Sequence, residues 1–270
     1  MTTVRRRRRT DRVKVALGLF VVVFFVFVMA PILVVIAVSF GEAEFIQFPI
    51  GSTSLRWYRR IIEYRPFIDS LIVSLQLAFA SAFLACLLGV PAALALARSA
   101  RPAAQAAATF LLAPLSMPAI VLGFALLYYL SALGFGVSFD ALLVAHTVIA
   151  IPYVTRNVIA VYRAIPGDLE EAAAILGAGR FETFRLVTLP LIKPGVFAGS
   201  LFAILISLDN LPISFFFGTS STNTLPVVML SYLQNQFDPS VAAVCTVQMA
   251  IAVIALLVVE RVGDIRSASM

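Results

Sequence analysis

The stretch from Glu171 to Pro190, EAAAILGAGRFETFRLVTLP, is a polar, helix-prone insert between two long apolar runs. With Asp168 and Glu170 ahead of it, Glu171 puts acids in the first turn of a helix, where the positive end of the helix dipole favours them. Ala172, Ala173 and Ala174 combine high helix propensity with a thin surface. Gly177 is suited to end that helix, because glycine takes a left-handed backbone at no steric cost. A second short helix is expected from about Arg180, with Leu189-Pro190 stopping it. The result is a helix-turn-helix within a polar loop, residues 163–194.

What surrounds the insert is apolar. Of 270 residues, 61% are hydrophobic and 13% charged, and mean hydropathy is +1.01. A soluble domain of this size cannot hide so much apolar surface, so lipid is its solvent. Six spans are expected, at about 15–38, 68–97, 106–130, 139–162, 195–217 and 239–260. Pro31 is placed to kink the first, and Pro114 and Pro118 break the third.

Charge orients the spans. Of the 20 Lys and Arg residues, 16 fall on one side if both termini are cytoplasmic; the other four, Arg56, Arg59, Arg60 and Arg65, follow span 1. The 163–194 loop then faces the cytoplasm. Residues 1–14 form a basic arm, 15–266 a single membrane domain and 267–270 a tail. A basic arm ahead of an apolar run also opens a signal peptide, but the 15–38 run is long and lacks a clean small-residue cleavage site, which favours an uncleaved span. The net charge of +6 sits at span ends, so nucleic acid is not expected as a partner.

The external segments carry polar structure. In 40–66, Trp57 and Tyr58 suit a headgroup interface. Arginines alternating with Ile61 and Ile62 read as an amphipathic helix, either lying on the membrane or docking a partner protein. Residues 218–238 are expected to hold a short helix around 225–236.

The chain lacks the residues of an enzyme. A phosphate-binding P-loop needs Gly-Lys followed by Ser or Thr; the only lysines, Lys14 and Lys193, do not follow glycine. No Ser/His/Asp or paired-carboxylate arrangement is recognisable. Cys86 and Cys245 lie in apolar runs and read as packing residues. His146 reads as a packed or hydrogen-bonded core residue. No catalytic, cofactor or metal site is expected.

One acid lies deep in a span. In SLDNLPIS, 207–214, Asp209 falls roughly 20 Å beyond the inner end at helical rise, in the outer half of a roughly 30 Å core. An acid there needs a wet cavity or a partner. With Ser207, Asn210 and Pro212 it makes a polar break, which either bonds helices together or lines a solute path.

The spacing Glu-Ala-Ala, three residues, Gly, nine residues, aliphatic, one residue, Leu-Pro resembles the EAA loop of ABC importer permeases. Those positions are Glu171, Ala172, Ala173, Gly177, Val187, Leu189 and Pro190, with valine where isoleucine is usual. SLDNLPISFFFG, TNTLP (222–226), DPSVAAVCT (238–246) and SLRWY (54–58) resemble the spermidine/putrescine-type permeases. Asn210 stands where those permeases often carry a second acid, and related subfamilies carry other amines, opines and phosphonates.

The resemblance implies an all-α, polytopic membrane protein with the six-helix type I importer permease fold. It implies two ATP-binding ABC subunits, which hold ATP and Mg, a second homologous permease chain and a periplasmic solute-binding protein. It makes the loop a coupling helix seated on the ATPase, with Glu171, Ala172, Ala173, Gly177, Leu189 and Pro190 transmitting motion. Asp209, Asn210 and Ser207 would line the solute path. The alternative is an ion-coupled secondary transporter, which calls for inverted repeats and coupling-ion residues; no repeat is visible.

Overall fold

Residues 3–99, 101–219 and 221–267 are described in a computed structural model, and among them every regular element is a helix. In chain order these are α1 (Thr3–Ser39), α2 (Arg56–Glu63), α3 (Arg65–Ala97), α4 (Pro102–Leu112), α5 (Ala119–Ala132), α6 (Phe139–Ala164), α7 (Asp168–Ile175), α8 (Arg180–Thr183), α9 (Leu189–Leu208), α10 (Leu211–Phe217), α11 (Leu225–Asn235) and α12 (Ser240–Ser267). Residues 1–2 of the expected arm and 268–270 of the expected tail lie outside the described residues.

Among the described residues, four helices are long and apolar enough to cross a membrane: Val13–Ser39, Arg65–Ala97, Phe139–Ala164 and Arg180–Leu208. The expected third span is a pair, Pro102–Ser116 and Ala119–Ala132, bent by 110°. Pro118 explains the bend. It lacks an N–H and pushes the preceding residue out of the helical region; Met117 sits at φ −92°, ψ 139°. Counted as one span, the pair makes five. The last apolar helix is shorter over its described side chains, Ser240–Ile254, so length and composition support four or five of the six expected spans.

The chain divides into two compact units. In the first, residues 1–64 and 233–250, the segment after α1 folds back on α2. Gly41 and Thr53 form an antiparallel bridge. The Trp57 indole N–H donates to the Gly41 carbonyl at 2.8 Å, and the Ser39 and Tyr58 hydroxyls meet at 2.7 Å. Trp57 is buried, so it anchors this fold rather than lying among lipid headgroups as expected. Arg56 stacks over the Trp57 ring at 4.4 Å.

In the second unit, residues 65–232 and 251–270, α3, α6 and α9 form the core. Their facing positions are small: Ala82, Ala85 and Ala93 on α3, Ala150 and Val154 on α6, Ala203 on α9. Small residues let helix backbones approach where lipid supplies no hydrophobic drive. A second cluster joins α5 and α10 to α3 and α6 through Leu77, Leu122, Leu142, Ile213 and Phe217. Phe79, Phe83, Phe110 and Phe202 point outward and exposed, as lipid-facing side chains do. The first turn of α11 is tied to α3: the Leu225 N–H donates to the Ser74 hydroxyl at 2.8 Å.

Candidate coupling site and solute path

The 168–178 segment folds as its residues dictate. Asp168, Glu170 and Glu171 occupy the first turn of α7. Gly177 has φ +87°. The Gly177 N–H donates to the Ala174 carbonyl and the Ala178 N–H to the Ala173 carbonyl, both at 3.0 Å. That pair of bonds is a Schellman ending, which satisfies carbonyls the helix leaves open. The Glu182 carboxylate then accepts from the Gly179 N–H at 2.9 Å and starts the next helix.

The expected stop at Leu189-Pro190 does not occur. Helix continues from Arg180 through to Leu208, past both Pro190 and Pro194. A π-helical turn, Phe184–Thr188, precedes Pro190, and the Leu189 N–H reaches five residues back to the Phe184 carbonyl. The wider coil makes Pro190 the second residue of a new α segment, where a missing N–H matters little. The second half of the loop, from Arg180, and the fifth apolar run are therefore one continuous lever.

Of the sequence-expected coupling residues, Glu171, Ala172, Ala173 and Gly177 precede this lever, on α7 and the turn after it, and only Leu189 and Pro190 lie within it. Glu171 and Ala172 are exposed and Ala173 is half-buried; Leu189 and Pro190 are half-buried at the head of α9. Ile175 and Leu176 are almost fully exposed, at 85% and 88%, and Phe181 is exposed too. A concavity of about 720 Å³ separates α7 from the bundle, lined by Arg98, Tyr162, Glu170, Glu171, Ala174, Arg180 and Thr188 among others.

The acid that reaches across it is Glu170, which sequence reasoning passed over for its neighbour. Its carboxylate accepts from the Thr188 hydroxyl at 2.5 Å and the Tyr162 hydroxyl at 3.2 Å. It also pairs with Arg98, whose guanidinium lies 4.6 Å over the Tyr162 ring. These partners stand 8 to 72 positions away in the chain, and no local pattern links them.

At the other end of the lever, the expected polar break is present. α9 ends at Leu208, and α10 starts at Leu211. The Asn210 side chain accepts from the Ile213 N–H at 3.0 Å and caps α10. Asn210 is buried, whereas Asp209 is exposed. Ser207 is buried beneath them, 2.8 Å from His146 Nδ1, and accepts from the Ser81 hydroxyl at 3.3 Å. His146 Nε2 lies 3.1 Å from the Ser214 hydroxyl. The break is thus underpinned by a buried polar cluster on α3, α6, α9 and α10.

Residues 85–263 match the family described as "Binding-protein-dependent transport system inner membrane component". The chain belongs to that family. It is the permease subunit of an ABC importer, a multi-pass protein of the bacterial inner membrane and not an enzyme. This permease is 31% identical to the putrescine transport system permease protein PotI of Escherichia coli (strain K12) over 229 residues, 82% of this chain and 81% of the relative. It is 30% identical to the spermidine/putrescine transport system permease protein PotC of Haemophilus influenzae over 242 residues, 90% and 93% of the two chains. It is 37% identical to the molybdenum transport system permease protein ModB of Mycobacterium tuberculosis over 209 residues, 72% and 78%.

In fold the permease resembles a chain of a bacterial ABC transporter that imports the acidic polysaccharide alginate. The TM-score is 0.70 at 17% identity, covering 94% of this chain and 97% of that one. Against the MetNI methionine ABC transporter the TM-score is 0.61 at 20% identity, covering 73% and 94%. The type I importer permease fold follows. Importers of this family work with ATPase subunits and a periplasmic binding protein.

Proposed function

We propose that this permease moves a polyamine or related organic amine, handed over by a periplasmic binding protein, along a path that includes Asp209, Asn210 and Ser207. ATP hydrolysis in two partner ATPases drives it through the 171–190 segment, and a second, homologous permease chain completes the pore. The observation that carries this reading is the unbroken helix from Arg180 to Leu208. One end adjoins the exposed Ile175, Leu176 and Phe181. An apolar patch on a polar loop is a surface for a protein partner to cover. The other end stops at the Asp209–Asn210 break. A push on the loop therefore arrives at the break as a rigid-body displacement.

The polyamine relatives PotI and PotC support the solute class, as does Asp209, which offers a carboxylate to an ammonium group. ModB, at higher identity over a shorter stretch, supports an anionic solute as the second reading.

The test is import into proteoliposomes by this permease with its second permease, ATPases and binding protein. Putrescine and spermidine are compared with molybdate. Amine uptake that needs ATP, with Asp209→Asn reducing it and Glu171→Ala uncoupling hydrolysis from it, is the expected result. Molybdate-specific uptake overturns the solute, and full coupling in Glu171→Ala overturns the role of that residue.

A further inference from the structure

All eight residues of α7 are described and none is buried. Apolar packing therefore does little to fix this helix on the membrane core, and the concavity of about 720 Å³ beneath it leaves it standing off the bundle. The side chain that crosses the gap is Glu170. It gathers Arg98 from the end of α3, Tyr162 from the end of α6 and Thr188 from the π-turn that heads α9. These three helices are the ones that form the core. The Glu170 side chain is 12% exposed against 54% for Arg98, so the carboxylate is shielded while its cation still meets water. The Arg98 guanidinium is also held by the Tyr162 ring, which fixes its approach.

We propose that Glu170 is a positioning residue: it latches the coupling helix to all three core helices, so that displacement of α7 moves them together rather than rotating α7 alone. This rests on the coupling role proposed above for the 171–190 segment. The neighbouring acids divide the labour by direction. Glu171 is exposed and, among the described residues, makes no contact with the bundle that matches those of Glu170, whose carboxylate turns back to Arg98, Tyr162 and Thr188. Charge-assisted hydrogen bonds from a shielded carboxylate are the strong members of their class. Arg98, Tyr162 and Thr188 each contribute to the latch, so the loss of one contact weakens it.

Two measurements on the assembled importer in lipid nanodiscs or proteoliposomes test the latch. The first is amide hydrogen exchange, which needs no solute. In Glu170→Ala, which removes all three contacts, exchange over residues 168–178 is expected to quicken about tenfold or more, one lost charge-assisted bond being the lower bound, while exchange in α3 and α6 stays unchanged. The second is solute carried per ATP hydrolysed. It is expected to fall about fivefold or more in Glu170→Ala, the lower end of measured coupling between sites, and less in Glu170→Gln, which keeps an acceptor for Tyr162 and Thr188.

Arg98→Gln is expected to match Glu170→Gln, with the double variant no worse than either, as for two halves of one contact. A merely structural role would instead lower transport and hydrolysis in proportion. Unchanged exchange in Glu170→Ala overturns the latch, and so do fully additive effects of Arg98→Gln and Glu170→Gln. Faster exchange with an unchanged transport-to-ATP ratio overturns its role in coupling. If Glu170→Ala fails to assemble, the Gln variants decide by the same criteria. If the intact importer carries no solute at the expense of ATP, the reading under Proposed function has failed, and the exchange arm still decides whether Glu170 holds the helix.

Discussion

Gly199 on α9 meets Val154 on α6 backbone to backbone: a Cβ built on Gly199 would lie 2.8 Å from the Val154 α-carbon. That is inside any van der Waals contact, and neither backbone atom can swing aside. Gly195 repeats the approach one turn earlier, 2.9 Å from the Val161 Cγ2. Gly199→Ala is expected to destabilise the permease by about 1–3 kcal/mol, the usual range for overpacking, and Gly195→Ala within the same range, because a Cβ there also lies 3.0 Å from the Val161 Cβ and 3.1 Å from the Asn157 carbonyl oxygen. Gly18→Ala, with nothing within 4 Å, serves as control. Thermal unfolding in detergent measures all three. A melting temperature for Gly199→Ala equal to that of Gly18→Ala would show that α6 and α9 are not in this contact.

Gly177 is constrained by conformation and not by space. It has φ +87°, and nothing lies within 4 Å of a Cβ built there. Alanine in that position is expected to cost about 1–2 kcal/mol through the left-handed backbone alone, and asparagine less, since it tolerates that region better. Gly177→Pro is expected to be worst, because proline fixes φ near −65° and lacks the N–H that Ala174 accepts. Solute-stimulated ATP hydrolysis in proteoliposomes should fall in the order glycine, asparagine, alanine, proline. Equal activity in all four would mean that the angle between α7 and the following helix does not matter.

How far the sequence reveals this molecule depends on the range of the cause. The acids of α7, its Gly177 ending and the break at Asp209–Asn210 each follow from neighbours a few residues apart, and each stands where local chemistry puts it. The bend at Pro118 was legible for the same reason. Pro190 misled because proline is read as a stop, whereas a π-turn ending two residues earlier, at Thr188, lets the helix absorb it. Trp57 looked like an interfacial anchor because aromatic composition carries no information on the Gly41 carbonyl 16 residues away. Glu170 beside Glu171 was the least legible. Two adjacent acids on a short helix look alike until Arg98, Tyr162 and Thr188 are brought to one of them.

Trp57 offers a local test in the external segment. Its indole N–H donates to the Gly41 carbonyl, and its ring supports Arg56, which in turn donates to the Glu42 carbonyl at 3.1 Å. Trp57→Phe keeps an aromatic ring but deletes the donor and leaves the carbonyl bond unmade, a loss of about 1–3 kcal/mol if Gly41 stays covered. Because this contact ties the 40–55 segment to α2, limited proteolysis within 42–52 is expected to speed up. Cleavage at the 163–194 loop should not change. Equal acceleration at both places would point to global loosening and remove Trp57 as the local anchor.

His146 tests the polar cluster under the Asp209–Asn210 break. In a neutral imidazole one nitrogen donates and the other accepts. Ser207 and Ser214 hydroxyls can each do either, so both ring atoms are satisfied in either tautomer. His146→Leu is close in size and packs the same space, but it takes the imidazole partner from two buried hydroxyls, leaving Ser207 with Ser81 alone and Ser214 without the ring. Each can turn back to a carbonyl of its own helix, so the loss is expected near the lower end of about 1–3 kcal/mol per unmade bond. The sharper expectation concerns the double variant. Ser207→Ala adds little to His146→Leu if the two share one network, whereas independent contributions would sum. Unfolding midpoints of the single and double variants measure the difference. Full additivity would mean that His146 and Ser207 do not interact, and that the cluster does not brace the break.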